Sequence, residues 1–378
     1  MADIAQDAAL QADDSVLSAA GKLFCYLWGE VWHHAPGTAE GDADELHDMR
    51  VGVRRLRSAL QNFEGSKTAP LLGSRLRREF AEQRGVLNKL GDVLGAVRDH
   101  DVLDDYLKEY AKTRLKKDVR ESPGLLHFER FLQTERAQAF APLVKRINRS
   151  QEPGRLREEF ARYALGVPAV TLPPGAPLLL IDAARCILPQ RVQEVLSHAP
   201  ALDDPNDAEG HHELRKSLKR LRYSLEFFAP CFSEKIKPHL KNLTKLQDSL
   251  GEMNDRHVLR LKATEAFEKS GFEYATTHCS AKNPVAGTED SAAEVASNSL
   301  FPEDIEAFLR YGDGRSRRLL RQVRDQWNEL QTQGWPSSLL NLLQPSDGAA
   351  PDTPAEEQAE PTGELQSPLK ADFEVLKP

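Results

Sequence analysis

Three sequence blocks occur twice in the chain, in the same order. Residues 45–63 read ELHDMRVGVRRLRSALQNF, and residues 212–228 read HELRKSLKRLRYSLEFF. The blocks EVWHHAP and LGDVLGAVRDHDVL return as EVLSHAP and LQDSLGEMNDRHVL, at offsets of 164 and 156 residues. A period of this size is too long for a solenoid unit. The sequence therefore predicts an internal duplication in which each copy has the size of a domain.

Each copy reads as helical. Apolar residues of the first copy recur at steps of four and three, which is the spacing of a helix that packs along one side. They are Met49, Val53, Leu56, Leu60 and Phe63, matched in the second copy by Leu214, Leu218, Leu221, Leu225 and Phe228. No stretch alternates as a strand would. We predict an all-α fold of two pseudo-symmetric helical bundles that share an interface.

The helix boundaries are predicted from the apolar periodicity and from the Pro and Gly residues between the periodic segments. Helical segments are predicted near 15–34, 43–63, 73–97, 99–118 and 124–148, and again near 178–198, 207–229, 233–254, 256–270 and 303–333. The first bundle should cover about 15–150 and the second about 178–335. The remaining segments are an acidic flexible N-terminus (1–14), a linker (151–177), a mobile loop (279–300) and a disordered acidic tail (336–378).

Charge is distributed unevenly along the chain. The net charge is −8 over 378 residues. Residues 1–48 hold ten acidic and one basic residue, and residues 341–378 hold eight acidic and two basic residues. The middle of the chain, 49–340, therefore carries +7. Ligand binding depends on the local electrostatic field rather than on the net charge, so this acidic protein can still bind an anion at the basic middle part of its chain.

That basic surface is concentrated in one row on each copy. His47, Arg50, Arg54 and Arg57 follow at steps of three, four and three, so they fall within an arc of roughly 80° on a helix. The row lies about 120° around the helix from the centre of the apolar seam. The matched row in the second copy is His212, Arg215, Lys219 and Arg222. Surface helices usually mix charge signs, so two matched rows without interleaved acids favour an anion ligand.

Other cations are weaker candidates. Lys241 and Lys245 continue a second row, and Lys245 matches Lys89 in the first copy. Arg55 and Arg220 lie on the other flank of the seam, where pairing between the bundles is expected.

Several classes of protein are disfavoured by the same sequence. No apolar run approaches the roughly 20 residues that span a bilayer, and the N-terminus lacks the regions of a signal peptide. We therefore expect a cytoplasmic protein without membrane association. The four cysteines form no CxxC pair, which argues against a disulfide framework or a zinc site. No cofactor, metal or catalytic residue is predicted.

The motifs HxxRVxxRRLRxxLxxF, LGxVRDxDVL and HxLRKxxKRLRYxLEF resemble those of the conserved histidine α-helical domain, CHAD, over about residues 15–335. The resemblance implies two facing helical bundles with a basic groove or pore between them, and binding of inorganic polyphosphate there. It further implies phosphate contacts by His47, Arg50, Arg54, Arg57, His212, Arg215, Lys219 and Arg222, to which we add Lys89, Lys241 and Lys245 as candidates. Some relatives carry an ExExK triphosphatase motif, which this sequence lacks.

Two residue types in these motifs leave alternatives open. His47 and His212 either contact phosphate or are structural histidines with satisfied partners. A histidine among arginines should have a lowered pKa, and a bound polyanion should raise that pKa. The matched Asp99 and Asp255 are expected to cap a helix or to pair with an arginine rather than to catalyse.

The leading hypothesis is therefore a non-enzymatic polyphosphate-binding protein, with association to polyphosphate granules as an extension. RNA or another nucleic acid is the alternative partner, since basic patches alone do not discriminate. It is weakened because the His47–Arg57 row contains no aromatic residue for base stacking. A phosphoanhydride-cleaving enzyme would need carboxylates to hold Mg²⁺, and none lies on the row itself.

Overall fold

The structure is a computed structural model that describes residues 4–64, 73–116, 118–150, 155–164, 179–232, 234–270 and 302–344. Within these ranges the chain forms helices and no strand, apart from an isolated bridge between Ser15 and Leu179. The predicted all-α fold is confirmed. None of the helices in these ranges has the length and apolarity that a bilayer crossing needs. The predicted mobile loop 279–300 and the tail beyond 344 lie outside the described residues.

The long helices follow the same order in the two halves. The first half contains α1 (Ile4–Asp7), α2 (Val16–His33), α3 (Ala35–Glu40), α4 (Ala43–Glu64), α5 (Ser74–Tyr110), α6 (Pro123–Ser150) and α7 (Arg155–Ala164). The second contains α8 (Leu180–His198), α9 (Ala208–Phe227), α10 (Lys237–Ser270), α11 (Glu303–Thr332) and α12 (Ser337–Leu340). The bounds of α2, α4, α6, α8, α9 and α11 agree with the predicted segments to within a few residues.

Helices α4 and α9 begin in the same way. Oδ1 of Asp42 accepts hydrogen bonds from the backbone N–H groups of Asp44 and Glu45 at 2.9 Å. Oδ1 of Asp207 accepts from the N–H of Gly210 at 2.8 Å. Aspartate is a favoured N-terminal cap because it satisfies donors that have no partner inside the helix. Asp42 and Asp207 are 165 residues apart, the same offset as the two cationic rows, so both rows start from a fixed helix end.

The predicted apolar seams are buried. All ten seam residues of the two copies are at most 2% exposed: Met49, Val53, Leu56, Leu60, Phe63, Leu214, Leu218, Leu221, Leu225 and Phe228. They belong to one large apolar cluster that contains residues of both halves. The halves therefore share a core rather than each enclosing its own. The duplication itself stays a prediction from the sequence.

A second, smaller apolar cluster joins the halves elsewhere. It combines the C-terminal parts of α5 and α10 with the N-terminal parts of α6 and α11. Along α5, Val97 belongs to the large cluster and Leu103 to the small one; along α10, Leu250 and Leu259 divide in the same way. The sequence predicted two segments for each of these helices, but each is a single helix that changes the cluster it packs in.

The predicted linker contains a helix. Phe160 and Tyr163 of α7 are buried in the large cluster, and the ring of Phe160 stacks on that of Phe24 with centroids 4.0 Å apart. Gly21 of α2 makes this approach feasible, since a Cβ there would lie 2.4 Å from the backbone nitrogen of Ala164. The linker prediction for residues 155–164 is therefore wrong, because an amphipathic ten-residue helix in this segment completes the core.

The two ends of the folded part also differ from the sequence prediction. The N-terminal segment was expected to be flexible, yet Ala5, Ala8 and Leu10 are buried. The predicted tail begins with α12, and Leu339 and Leu343 are buried in the large cluster. Both predictions treated polar or acidic composition as disorder, whereas a few apolar residues are enough to pack each segment against the core.

Beside the small cluster, a side chain of α11 in the second half caps the N-terminus of α6 in the first half. Oδ2 of Asp304, in the first turn of α11, accepts from the N–H groups of Gly124 and Leu125 at the start of α6, at 2.9 and 3.3 Å. Replacing Asp304 by Ala should lower the free energy of unfolding by about 1–2 kcal/mol, the usual effect of losing such a cap. Urea denaturation checks this, with the exposed neighbour Glu303→Ala as control. Equal losses in the two variants would contradict a specific cap.

Candidate functional site

The cationic rows of α4 and α9 meet at one cavity of about 900 Å³. The helices α4, α5, α9, α10 and α11 all contribute to its lining. Along α5 and α10 the cavity lies where each helix passes from the large apolar cluster to the small one. Its basic lining residues are His47, Arg50, Arg54, Arg98, His212, Arg215, Lys219, Arg256 and Arg315. Six of the predicted ligands are thus brought together from two segments about 165 residues apart.

The arginines of this cavity are incompletely neutralised. Nη2 of Arg50 contacts Oδ1 of Asp99 at 3.2 Å, so of the two roles expected for that aspartate, a helix cap or an arginine pairing, the structure contains the pairing. The buried Nε atoms of Arg54 and Arg215 have no hydrogen-bond partner among the residues that the structure describes. Both residues line the cavity, so an anion there would be attracted to the charge of their guanidinium groups. The cavity is therefore suited to a ligand that accepts several hydrogen bonds and carries negative charge.

The two histidines have different surroundings. Burial lowers the pKa of His47, and the neighbouring Arg98 and Arg54 lower it further. Burial also lowers the pKa of His212, although a hydrogen bond to Asn254 opposes that shift. Nδ1 of His212 lies 2.8 Å from Oδ1 of Asn254, so Nδ1 is the donor. Nε2 of His212 can then donate to a phosphate only when the ring is protonated.

Lys219 is the most perturbed cation of the cavity. Its pKa is lowered to about 6, first by burial and then by the charges of Arg215, Arg54 and Arg50, with Asp255 opposing the shift. At neutral pH its amine is therefore mostly uncharged while the cavity is empty. A polyanion among the same arginines would reverse the electrostatic contribution and favour the ammonium form.

Carboxylates line the same cavity, which the sequence reasoning missed. They are Asp99, Glu109, Asp248, Glu252 and Asp255. The rows on α4 and α9 carry no acids, as predicted, but α5 and α10 bring carboxylates beside them. Glu252 accepts from Nε and Nη2 of Arg315 at 2.8 and 3.2 Å, so part of this charge is already paired. No cluster of three or more His, Cys, Asp or Glu side chains suited to a metal ion occurs in the described part of the chain.

Two tyrosines also line the cavity and were not predicted from the cationic rows. Arg256, which is 8% exposed, lies over the ring of Tyr106 at 4.0 Å from its centroid. Arg114 lies 4.8 Å from the centroid of Tyr311. Each ring thus already has a guanidinium over one face. The repeat gave no signal for Arg256, because the matched position in the first copy is His100.

Five predicted ligands do not line this cavity. Arg57 lies against α5, where a Cβ on Gly91 would be 3.1 Å from its Nη1. Arg222 is 8% exposed and its Nη1 is 3.4 Å from Oε1 of Glu226. The other three are exposed on α5 and α10: Lys89, Lys241 and Lys245. Their contact with a ligand stays a prediction, and for Arg57 and Arg222 it would need a route other than this cavity.

Of the two flanking arginines, Arg220 differs from the expectation of pairing between the bundles. Nη2 of Arg220 lies 2.6 Å from Oε1 of Glu194, which belongs to α8 in the same half. Arg220 therefore fastens α9 to its neighbour within the second half.

Comparison with known proteins gives one match to a family and several to solved structures. The family model described as "CHAD domain" matches residues 26–263. The crystal structure of the CHAD domain from the plant Ricinus communis has 23% identity and a TM-score of 0.49, covering 88% of this chain and 92% of that one. PptA from Streptomyces chartreusis has 14% identity and a TM-score of 0.48, covering 84% of this chain and 99% of that one. No curated protein matches the chain.

Proposed function

Because the chain belongs to the CHAD domain family, we propose that it binds inorganic polyphosphate in the cavity between α4 and α9 and leaves the polymer intact. The observation that carries this proposal is the convergence of two matched cationic rows on one cavity. Six side chains support it directly: His47, Arg50, Arg54, His212, Arg215 and Lys219. A linear polyphosphate has no bases to read, so charge, spacing and hydrogen bonds must provide recognition.

Arginine suits this ligand for geometric reasons. Its planar guanidinium engages two oxygen atoms at once, and the helices hold it before the ligand arrives, which reduces the entropic cost of binding. The seam residues beneath each row are fully packed, so the repulsion among the cations is opposed by the core.

The alternative ligand is RNA. Tyr106 and Tyr311 offer aromatic surface, but the guanidinium over each ring reduces the room for base stacking. The two proposals differ in their expected competition: polyphosphate should displace RNA from the protein, whereas RNA should displace polyphosphate poorly. Localisation in the cytoplasm and on polyphosphate granules remains part of the proposal.

Binding to long polyphosphate, ATP and RNA at several salt concentrations tests the proposal. If about six phosphates are contacted, the logarithm of affinity should fall with the logarithm of salt at a slope near −4, taking about −0.7 per contact. Gel analysis after long incubation with Mg²⁺ should show polymer of unchanged length. Tighter binding of RNA would favour the alternative, and progressive shortening would overturn the non-enzymatic proposal.

Affinity for polyphosphate should fall as pH rises from 6 to 9. The pKa of Lys219 is about 6 in the empty cavity, and bound phosphate should raise it. At a pH between the pKa of the empty form and that of the bound form, binding therefore takes up a proton. Each proton taken up changes affinity by about tenfold per pH unit. Calorimetry in buffers of different ionisation enthalpy measures this uptake directly.

The matched control for this pH dependence is Lys219→Arg. Arginine keeps its charge across the whole pH range, so proton uptake at position 219 on binding should vanish. Proton uptake by His47 and His212 should remain at pH values below about 7. An unchanged pH slope in the Lys219→Arg protein would mean that another group takes up the proton.

A further inference from the structure

Among the lysines that the structure describes, Lys219 is the one that lines the cavity. It is partly buried and has cations on two sides, Arg50 and Arg54 from α4 and Arg215 from its own helix. From α10, Asp248 and Asp255 face it as the acidic groups. By contrast Lys216, one turn earlier on α9, is exposed and paired with Glu213 at 2.7 Å.

We propose that Lys219 is a covalent capture site, whose amine forms an imine with small aldehydes that carry a phosphate group held by the surrounding arginines. The cavity supplies both parts of this recognition. Arg54 and Arg215 line the cavity, and the charge of their guanidinium groups suits a phosphate group there. Lys219 lies in the same cavity and supplies the nucleophile.

The chemistry needs an uncharged amine, and the surroundings provide one. The pKa of Lys219 is about 6 in the empty cavity, and burial, the first of its causes, is not removed when one phosphate binds beside it, so part of the amine stays free at pH 7. An ordinary lysine with a pKa near 10.4 is almost fully protonated at that pH. Burial and neighbouring cations are the usual means by which proteins make a lysine nucleophilic.

The reaction balances without an oxidant or a metal. The nitrogen lone pair of Lys219 attacks the carbonyl carbon, and the carbonyl π electrons move to oxygen. A proton passes from nitrogen to that oxygen and gives a carbinolamine. The hydroxyl then leaves as water together with the remaining N–H proton, and the nitrogen lone pair forms the C=N bond. The proposal rests on the phosphate affinity proposed above for these arginines, but it does not require a polymeric ligand.

Pyridoxal 5′-phosphate is a suitable probe, with pyridoxal as the matched aldehyde that lacks the phosphate. At pH 7 the phosphate-bearing probe should label Lys219 at least tenfold faster than any other lysine, and tenfold faster than pyridoxal does. Borohydride reduction fixes the imine, and peptide mass spectrometry locates it. The Lys219→Met protein should lose this labelling, and the Lys216→Met protein should retain it.

Protection of Lys219 from labelling by added phosphate is a second measurement, and it uses the unaltered protein instead of a variant. Excess inorganic phosphate or triphosphate should slow labelling of Lys219 and leave labelling of exposed lysines unchanged. Labelling spread evenly over the lysines, or equal rates with the two probes, would overturn the proposal. Selective labelling in a protein that fails to bind polyphosphate would instead overturn the proposed function and leave the capture site standing.

Discussion

Replacing Arg54, Arg215 and Lys219 together by Gln, Gln and Met should lower affinity for long polyphosphate by a factor on the order of a thousand or more, since each charge-assisted hydrogen bond contributes about 1.5–3 kcal/mol. All three side chains line the cavity, and they come from both rows. Titration of a labelled polymer at fixed salt measures the loss. The slope of affinity against salt should become shallower by roughly 2, because three phosphate contacts are removed.

The control for this triple variant removes the same charge from outside the cavity. Lys89, Lys241 and Lys245 are exposed and do not line it. Changing these three to Gln should weaken binding less than about threefold, because exposed charges outside the cavity are screened by water and salt. Comparable losses in the two triple variants would mean that general positive charge holds the ligand. A large loss in the control alone would move the site to the exposed lysines.

Replacing Lys219 alone by Met should stabilise the empty protein at pH 7 by about 2–4 kcal/mol, although it weakens binding. The pKa of Lys219 falls from 10.5 to about 6 on folding. Between these values the unfolded chain binds the proton more tightly, so stability rises with pH through this window. The advantage of Met should therefore shrink as pH approaches 10.

Thermal unfolding at pH 7 and at pH 9.5 measures this effect. The exposed Lys216→Met should leave the melting temperature nearly unchanged at both pH values. Added polyphosphate should raise the melting temperature of the unaltered protein far more than that of the Lys219→Met protein. A Lys219→Met protein that melts lower at pH 7 would show that the lysine contributes packing or contacts that outweigh the burial of its charge.

Much of the fold was predictable from local pattern alone. The seams on α4 and α9 follow from helical periodicity, and the capping aspartates Asp42 and Asp207 stand at the duplicated offset. What failed were segments whose structure depends on distant partners. α7 forms because Gly21, more than 130 residues earlier, leaves room for its backbone. α5 and α10 each run on as one helix into the second apolar cluster, and that cluster is assembled from several segments that are far apart in the sequence.

The site was predictable to the extent that it lies on one helix face. Periodicity placed His47, Arg50 and Arg54 together, and repetition added the second row. It could not show that α5 covers Arg57, or that Glu226 pairs with Arg222. The carboxylates of the cavity lie on α5 and α10, which follow the two row-bearing helices in the chain, and only tertiary packing shows that they face the rows. Asp99 was the exception, because its repetition pointed to either a helix cap or an arginine pairing, and the structure contains the pairing.

The two apolar clusters on either side of the cavity have a consequence for the speed of binding. Helices α5 and α10 each belong to both clusters, so neither can swing outward without exposing apolar surface at one end. A ligand thus meets a cavity whose cations already stand in place, and association needs no slow opening step. Diffusion and long-range attraction then limit the encounter. Ionic strength should accordingly act mainly on how fast the complex forms, and less on how long it lasts.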